Sequence, residues 1–122
     1  MKFMTIVKGP ENFGPPPKSL MDGIMQLGIE AAQAGVFVTM GGLMPSAASS
    51  RIRISKGRLS VTDGPFTEAK EIVGGFAVYE TKTKEEAVEW ARRFMELHRE
   101  HWPDWEGETE IRPMMEAPSP SK

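Results

Sequence analysis

Two nearly continuous apolar runs, Phe3 to Val7 and Ile72 to Tyr79, constrain this chain more than any other feature. Both are rich in β-branched and aromatic residues, and both are apolar on alternate faces. That pattern belongs to central strands covered on two sides, not to edge strands with one wet face. A sheet built on two such strands needs a layer on each side. The chain has 122 residues. That length supports one core and not two domains, and a compact monomer of this mass would expose roughly 6,500 Å².

The rest of the pattern supplies one of those layers. Leu20, Ile24, Leu27 and Ala31 recur at helical spacing, with Asp22, Gln26, Glu30 and Gln33 opposite. Ser19 and Asp22 have the form of a capping box, and Gly35 suits a left-handed terminator. A second helix opens at the capping box Thr83–Glu86. It places Ala87, Trp90, Ala91, Phe94, Leu97 and His98 on one face and closes before Pro103. Glu89 and Arg93 are spaced to pair along it. Its late His98, Arg99 and His101 suit the negative end of the helix dipole. Val36–Met40 reads as a strand, as does Glu108–Pro113. Arg51–Ile54 and Arg58–Thr62 read as a hairpin around Lys56-Gly57. Gly41-Gly42 and Gly74-Gly75 are expected to mark bulges or close helix–sheet contact.

With the hairpin set aside, the order is βαββαβ, so the expected fold is α+β and ferredoxin-like. Its two helices cover one face of the sheet. Phe3, Phe76 and their alternating neighbours are expected on the other face, and a second copy of the chain is the simplest cover for them. A homodimer is therefore expected. The folded domain is expected over 1–115, followed by a disordered tail over 116–122 that is rich in proline and serine.

Composition narrows the function classes. There is no cysteine, which excludes disulfides, thiolate nucleophiles and thiolate metal sites. The formal net charge of −2 argues against a dedicated nucleic-acid binder. No signal peptide or membrane segment is visible, so the expected place is the cytoplasm, with no membrane partner. Neither a P-loop nor a dinucleotide fingerprint occurs, and no cofactor is expected. His98 and His101 are spaced to share a metal, but no third ligand has diagnostic spacing, and no metal site is assigned.

The stretch Val61-Thr62-Asp63-Gly64-Pro65-Phe66-Thr67-Glu68-Ala69-Lys70-Glu71, followed by Gly74-Gly75-Phe76, closely resembles the YCII-related family in its DGPF-motif branch. The opening Lys2-Phe3-Met4, Ala34-Gly35-Val36, Gly42-Leu43 and the terminal Glu110-Ile111-Arg112-Pro113 also fit. The resemblance runs over roughly residues 1 to 115. It implies a dimeric α+β barrel, two ferredoxin-like units with sheets packed face to face. Most of that branch has no assigned reaction, and some relatives are linked or fused to sigma factors. Some members of the wider family look like small-molecule enzymes using a His–Asp pair, the His just after the first strand. Here that segment is Lys8-Gly9-Pro10-Glu11-Asn12. It contains no His, and only Asp63 carries over.

Several residues are candidates for chemistry. Asp63 opens a turn by its residue type alone, since Asp bonds amides two residues on and Pro65 fixes the exit. Beside apolar Phe66 and Phe76 it is also placed to act as a base or a ligand acceptor. Lys70 is a candidate anchor for an anionic ligand or a partner of Asp63. Arg51 and Arg53 share one strand face, with Lys56 and Arg58 close by, and such a cluster can hold a carboxylate or phosphate as well as simply solvating a hairpin. The triple proline Pro15-Pro16-Pro17 stiffens a loop that can line a site or serve as a spacer. Trp102 and Trp105 are expected over the end of the core or the dimer seam, or stacked on a ligand. Two readings follow. One is a cofactor-free, ligand-binding or enzyme-like protein, with a cleft between sheet and helices lined by the proline loop, Asp63 and the ligand-contacting Phe66, and with proton transfer on a small and in some cases anionic molecule. The other is a non-catalytic interaction module linked to a sigma factor.

Overall fold

A computed structural model describes residues 1–66 and 71–116. Lys70 and nearly all of the expected tail lie outside the described residues. The strands are β1 (Lys2–Gly9), β2 (Phe37–Gly42), β3 (Ser50–Ser55), β4 (Arg58–Asp63), β5 (Ile72–Glu80) and β6 (Glu108–Pro113). The helices are α1 (Lys18–Gln33) and α2 (Lys84–His101). Four strands form an antiparallel sheet in the order β2-β5-β1-β6. The two apolar runs are its two central strands, and the fold is ferredoxin-like α+β. No helix among the described residues is long and apolar enough to cross a membrane.

The register decides which side chains meet the helices. Phe3 pairs with Tyr79 and Thr5 with Ala77, while Met4 pairs with Val78 and Ile6 with Phe76. Ala77 and Tyr79 share a core with Ala31 of α1 and Trp90 of α2, and the Tyr79 and Trp90 rings stack at 6.2 Å. Phe3 therefore lies under the helices, 1% exposed. This corrects the expectation that Phe3 and Phe76 share the uncovered face. Phe76 sits opposite Ile6, and the two-residue period of a strand puts Ile6 and Phe3 on opposite sides. The open face carries Met4, Ile6 and Phe76, with the ion network Lys8–Glu110–Arg112 beside them. Glu110 bonds Lys8 and Arg112, and this holds its carboxyl below the usual range and raises Lys8.

The glycine pairs act as expected in part. Between Val7 and Lys8 the β1–β5 register skips from Gly75 to Val73, leaving Gly74 as the extra residue of a bulge. The irregularity in β2 falls instead between Phe37 and Thr39, ahead of Gly41-Gly42. At Gly75 a Cβ would stand 3.1 Å from the Gly41 carbonyl oxygen, so close approach of β2, not the expected helix–sheet contact, is the reason for glycine there.

The helix ends separate a working cap from an apparent one. Thr83 caps α2, its hydroxyl accepting the Glu86 N–H at 3.2 Å. Ser19 does not cap α1. The helix starts one residue earlier, with extended Pro17 as its cap residue and the Pro17 carbonyl accepting from Leu20 and Met21. The proline run sets the chain direction, and Ser19 is already helical. Gly35 closes the region with φ of 77°. On α2, Glu89 pairs with Arg92, while Arg93 reaches across to Glu30 of α1 at 2.7 Å.

The hairpin is a separate two-stranded sheet. Lys56 and Gly57 turn it with φ of 52° and 77°, as a tight hairpin of this hand requires. Ile52 lies opposite Val61 and Ile54 opposite Leu59, and all four are exposed.

Candidate ligand cleft

Between the sheet and both helices lies a cleft of about 720 Å³. Small-molecule sites usually occupy ~300–1,000 Å³. Its floor is Val7, Gly9, Met40 and the bulged start of β5. Leu20, Met21 and Ile24 of α1 form one side, and Phe94 and His98 of α2 the other. The loop from Pro10 to Pro16 and the segment Leu43–Pro45 frame the mouth. Pro15 and Pro16 of the stiff proline loop thus line the cleft.

Five aromatic rings run along one wall. Phe13 meets Trp102 edge-on at 6.2 Å, and Trp102 stacks with Trp105 at 6.2 Å. Trp105 meets His98 at 4.7 Å, and His98 meets Phe94 at 4.8 Å. All five line the cleft. The local reasons are simple. One helical turn separates Phe94 from His98, so they stack along α2. After α2, the turn that bonds Trp105 N–H to the Trp102 carbonyl brings the two indoles side by side. Gly107 admits the Trp105 ring, since a Cβ there would overlap it.

His98 is 7% exposed. Its Nδ1 lies 3.0 Å from the Phe94 carbonyl oxygen. Two lone pairs would repel at that distance, so Nδ1 carries the hydrogen and donates it. Burial lowers the tendency of the ring to take a second proton. The ring stands in the last turn of α2 and gives its Nδ1 hydrogen to a carbonyl of that helix. Among the described residues no group of three metal-ligating side chains converges.

Glu11 ties the mouth of the cleft together. Its carboxylate accepts both the Ser46 N–H and the Ser46 hydroxyl at 2.5 Å, which holds its carboxyl below the usual range. The Ser46 oxygen in turn accepts the Phe66 N–H at 3.1 Å. Gly64 packs directly on the Ser46 backbone, and a Cβ at 64 would overlap it. The Asp63–Phe66 turn therefore braces the segment that frames the mouth.

The residues singled out from sequence fall elsewhere. Asp63 ends β4, exposed, and accepts the Ser50 hydroxyl at 2.7 Å. Phe66 is buried beneath the Arg51 guanidinium, 3.7 Å from its ring centroid. Arg53 is exposed on β3. Neither Asp63, Phe66, Arg51 nor Arg53 lines the cleft. His98, Phe13 and Glu11 were not expected there. The available signal for His98 was a polar ring on the apolar stripe of α2.

Comparison with known proteins agrees with the fold. A model of the YCII-related domain matches residues 1–101. An uncharacterized protein of Rhizobium meliloti (strain 1021) is 37% identical over 60 residues. That match covers 49% of this chain and 48% of the relative, so it spans about half of each.

Proposed function

The chain belongs to the YCII-related family, and we propose that it binds a small planar organic molecule in the cleft between sheet and helices. The observation that carries this reading is the five-ring wall along a cleft of ligand size. Flat apolar faces offered side by side suit a flat apolar guest. The Asp63-Gly64-Pro65-Phe66 turn supports placing the chain in the DGPF-motif branch, and a cytoplasmic setting accords with the absence of cysteine. Titration with the uncharged dye N-phenylnaphthylamine tests the binding reading. One saturable site per chain is expected, and Ile24→Trp, which fills the cleft, should abolish it without lowering the melting temperature. Dye binding that ignores Ile24→Trp contradicts the proposal.

A separate, catalytic reading is cofactor-free proton transfer at the hairpin end, outside the cleft. Asp63 would be its base, beside Phe66, with Arg51, Arg53 or Lys70 anchoring an anionic group. Asp63 is not among the cleft's lining residues, so Asp63→Asn tests the catalytic form while leaving dye binding intact.

A homodimer belongs to the same reading. Ile52, Ile54, Leu59 and Val61 on the hairpin, with the open sheet face, are apolar area for a second copy to cover. Sedimentation should return twice the 13.5 kDa of one chain. The exposed hairpin also favours a second reading, an interaction module linked to a sigma factor. A sigma factor that binds the wild type and not Ile54→Asp would support it, and equal binding to both would remove it.

A further inference from the structure

We propose that the cleft selects uncharged aromatic molecules carrying an O–H or N–H donor, and that His98 Nε2 is the atom that accepts from them. This inference rests on the binding reading above and names its ligand class.

His98 lines the cleft with its Nδ1 hydrogen already committed to the Phe94 carbonyl. The neutral imidazole then has a lone pair on Nε2. That nitrogen has no hydrogen-bond partner among the described residues. Phe94 and Trp105 both pack on the ring, tilted by 46° and 47°, and with the Nδ1 bond they hold its orientation. A positioned acceptor with no partner in an otherwise apolar wall is a recognition element, because a guest without a donor leaves it unsatisfied.

The charge inventory of the same wall selects against anions. The lining side chains able to ionise are Glu11 and His98, and no Lys or Arg lines the cleft among the described residues. Both Glu11 oxygens are engaged by Ser46. The remaining side-chain donors of the wall are indole N–H groups, which carry no full charge. An anionic guest would lose its hydration with no cation among the described lining residues to offset the loss and with a carboxylate at the mouth.

Three probes of one shape test this: β-naphthol, its methyl ether, and β-naphthoate. The wild type is expected to bind β-naphthol roughly three- to tenfold more tightly than the ether, the value of one hydrogen bond. It is expected to bind β-naphthoate more weakly than either. His98→Phe keeps the ring stack and should bind β-naphthol and the ether equally. Equal binding of those two by the wild type overturns the inference, and so does a preference that survives in His98→Phe. Naphthoate binding as tight as naphthol overturns its charge selectivity. In each of those cases the cleft still binds rings, so the binding reading stands. If none of the three binds the wild type, the binding reading falls and this inference falls with it. Should His98→Phe fail to fold, the wild-type ranking decides alone.

Discussion

The cleft and the hairpin are built from similar materials and end in opposite conditions. The hairpin pairs Ile52 with Val61 and Ile54 with Leu59, yet leaves all four in solvent and sets Arg51, Arg53 and Arg58 around them. The cleft gathers Phe13, Phe94, His98, Trp102 and Trp105 from segments nearly ninety residues apart and stacks their rings against one another. The hairpin region holds the contiguous motif, and the cleft holds the convergent side chains. A conspicuous local motif and a binding cavity are thus different objects here, joined by the Glu11–Ser46–Phe66 bonds. The motif braces the cleft's frame from outside.

If that division is right, substitutions should rank by region. Phe3→Ala, deep under the helices, should cost about 3–5 kcal/mol in urea unfolding. Ile54→Ala, at 73% exposure, should change monomer stability by less than about 0.5 kcal/mol, while weakening any dimer seen by sedimentation. Comparable losses from the two would mean that the hairpin is part of the core.

Gly64→Ala is the next largest expected effect. Its new Cβ would press on the Ser46 backbone, and overpacking of this kind costs about 1–3 kcal/mol. Dye binding should weaken along with stability, because Ser46 follows Pro45 of the frame and holds Glu11 at the mouth. Unchanged dye affinity in a destabilised Gly64→Ala would separate motif from cleft altogether.

A smaller effect should appear with pH. Burial depresses the folded-state proton affinity of His98 below its ordinary value of 6.5. The unfolded chain therefore takes up the proton first as pH falls. The His98 contribution is fully present above 6.5, and it declines as pH drops through that value toward the lower folded one. His98→Phe should show a flatter melting profile over that window. A slope identical to the wild type would place the titration on other groups.

A small change is also expected from Asp63→Asn. The exposed Ser50–Asp63 bond is worth under about 1 kcal/mol, and the dye site should be unaffected. A loss of turnover in that variant, with melting unchanged, would favour the catalytic form at the hairpin end.

Much of the fold was legible because it follows from short-range pattern. Thr83 caps α2, Lys56-Gly57 turn the hairpin, and Gly74 makes a bulge, all for reasons contained in a few neighbouring residues. Phe3 was misassigned to the open face because strand alternation fixes faces only relative to a register, and register is a property of two strands. Ser19 misled because capping depends on where the chain enters the helix, and Pro17 determined that. The cleft was least legible. Its wall depends on the turn after α2 and on a proline loop from the other end of the chain. Its traces in the sequence are the stiff proline loop, the Trp102–Trp105 pair and the place of His98 on the apolar stripe of α2.

The most direct test of the central claim is a titration with β-naphthol, watching the indole N–H signals of the three tryptophans by nuclear magnetic resonance. Trp102 and Trp105 line the cleft, whereas Trp90 packs on Tyr79 outside it. Saturable shifts of Trp102 and Trp105, with Trp90 and the hairpin amides still, are the predicted result. Saturable shifts confined to Ile52–Val61, with both cleft indoles unmoved, would contradict it.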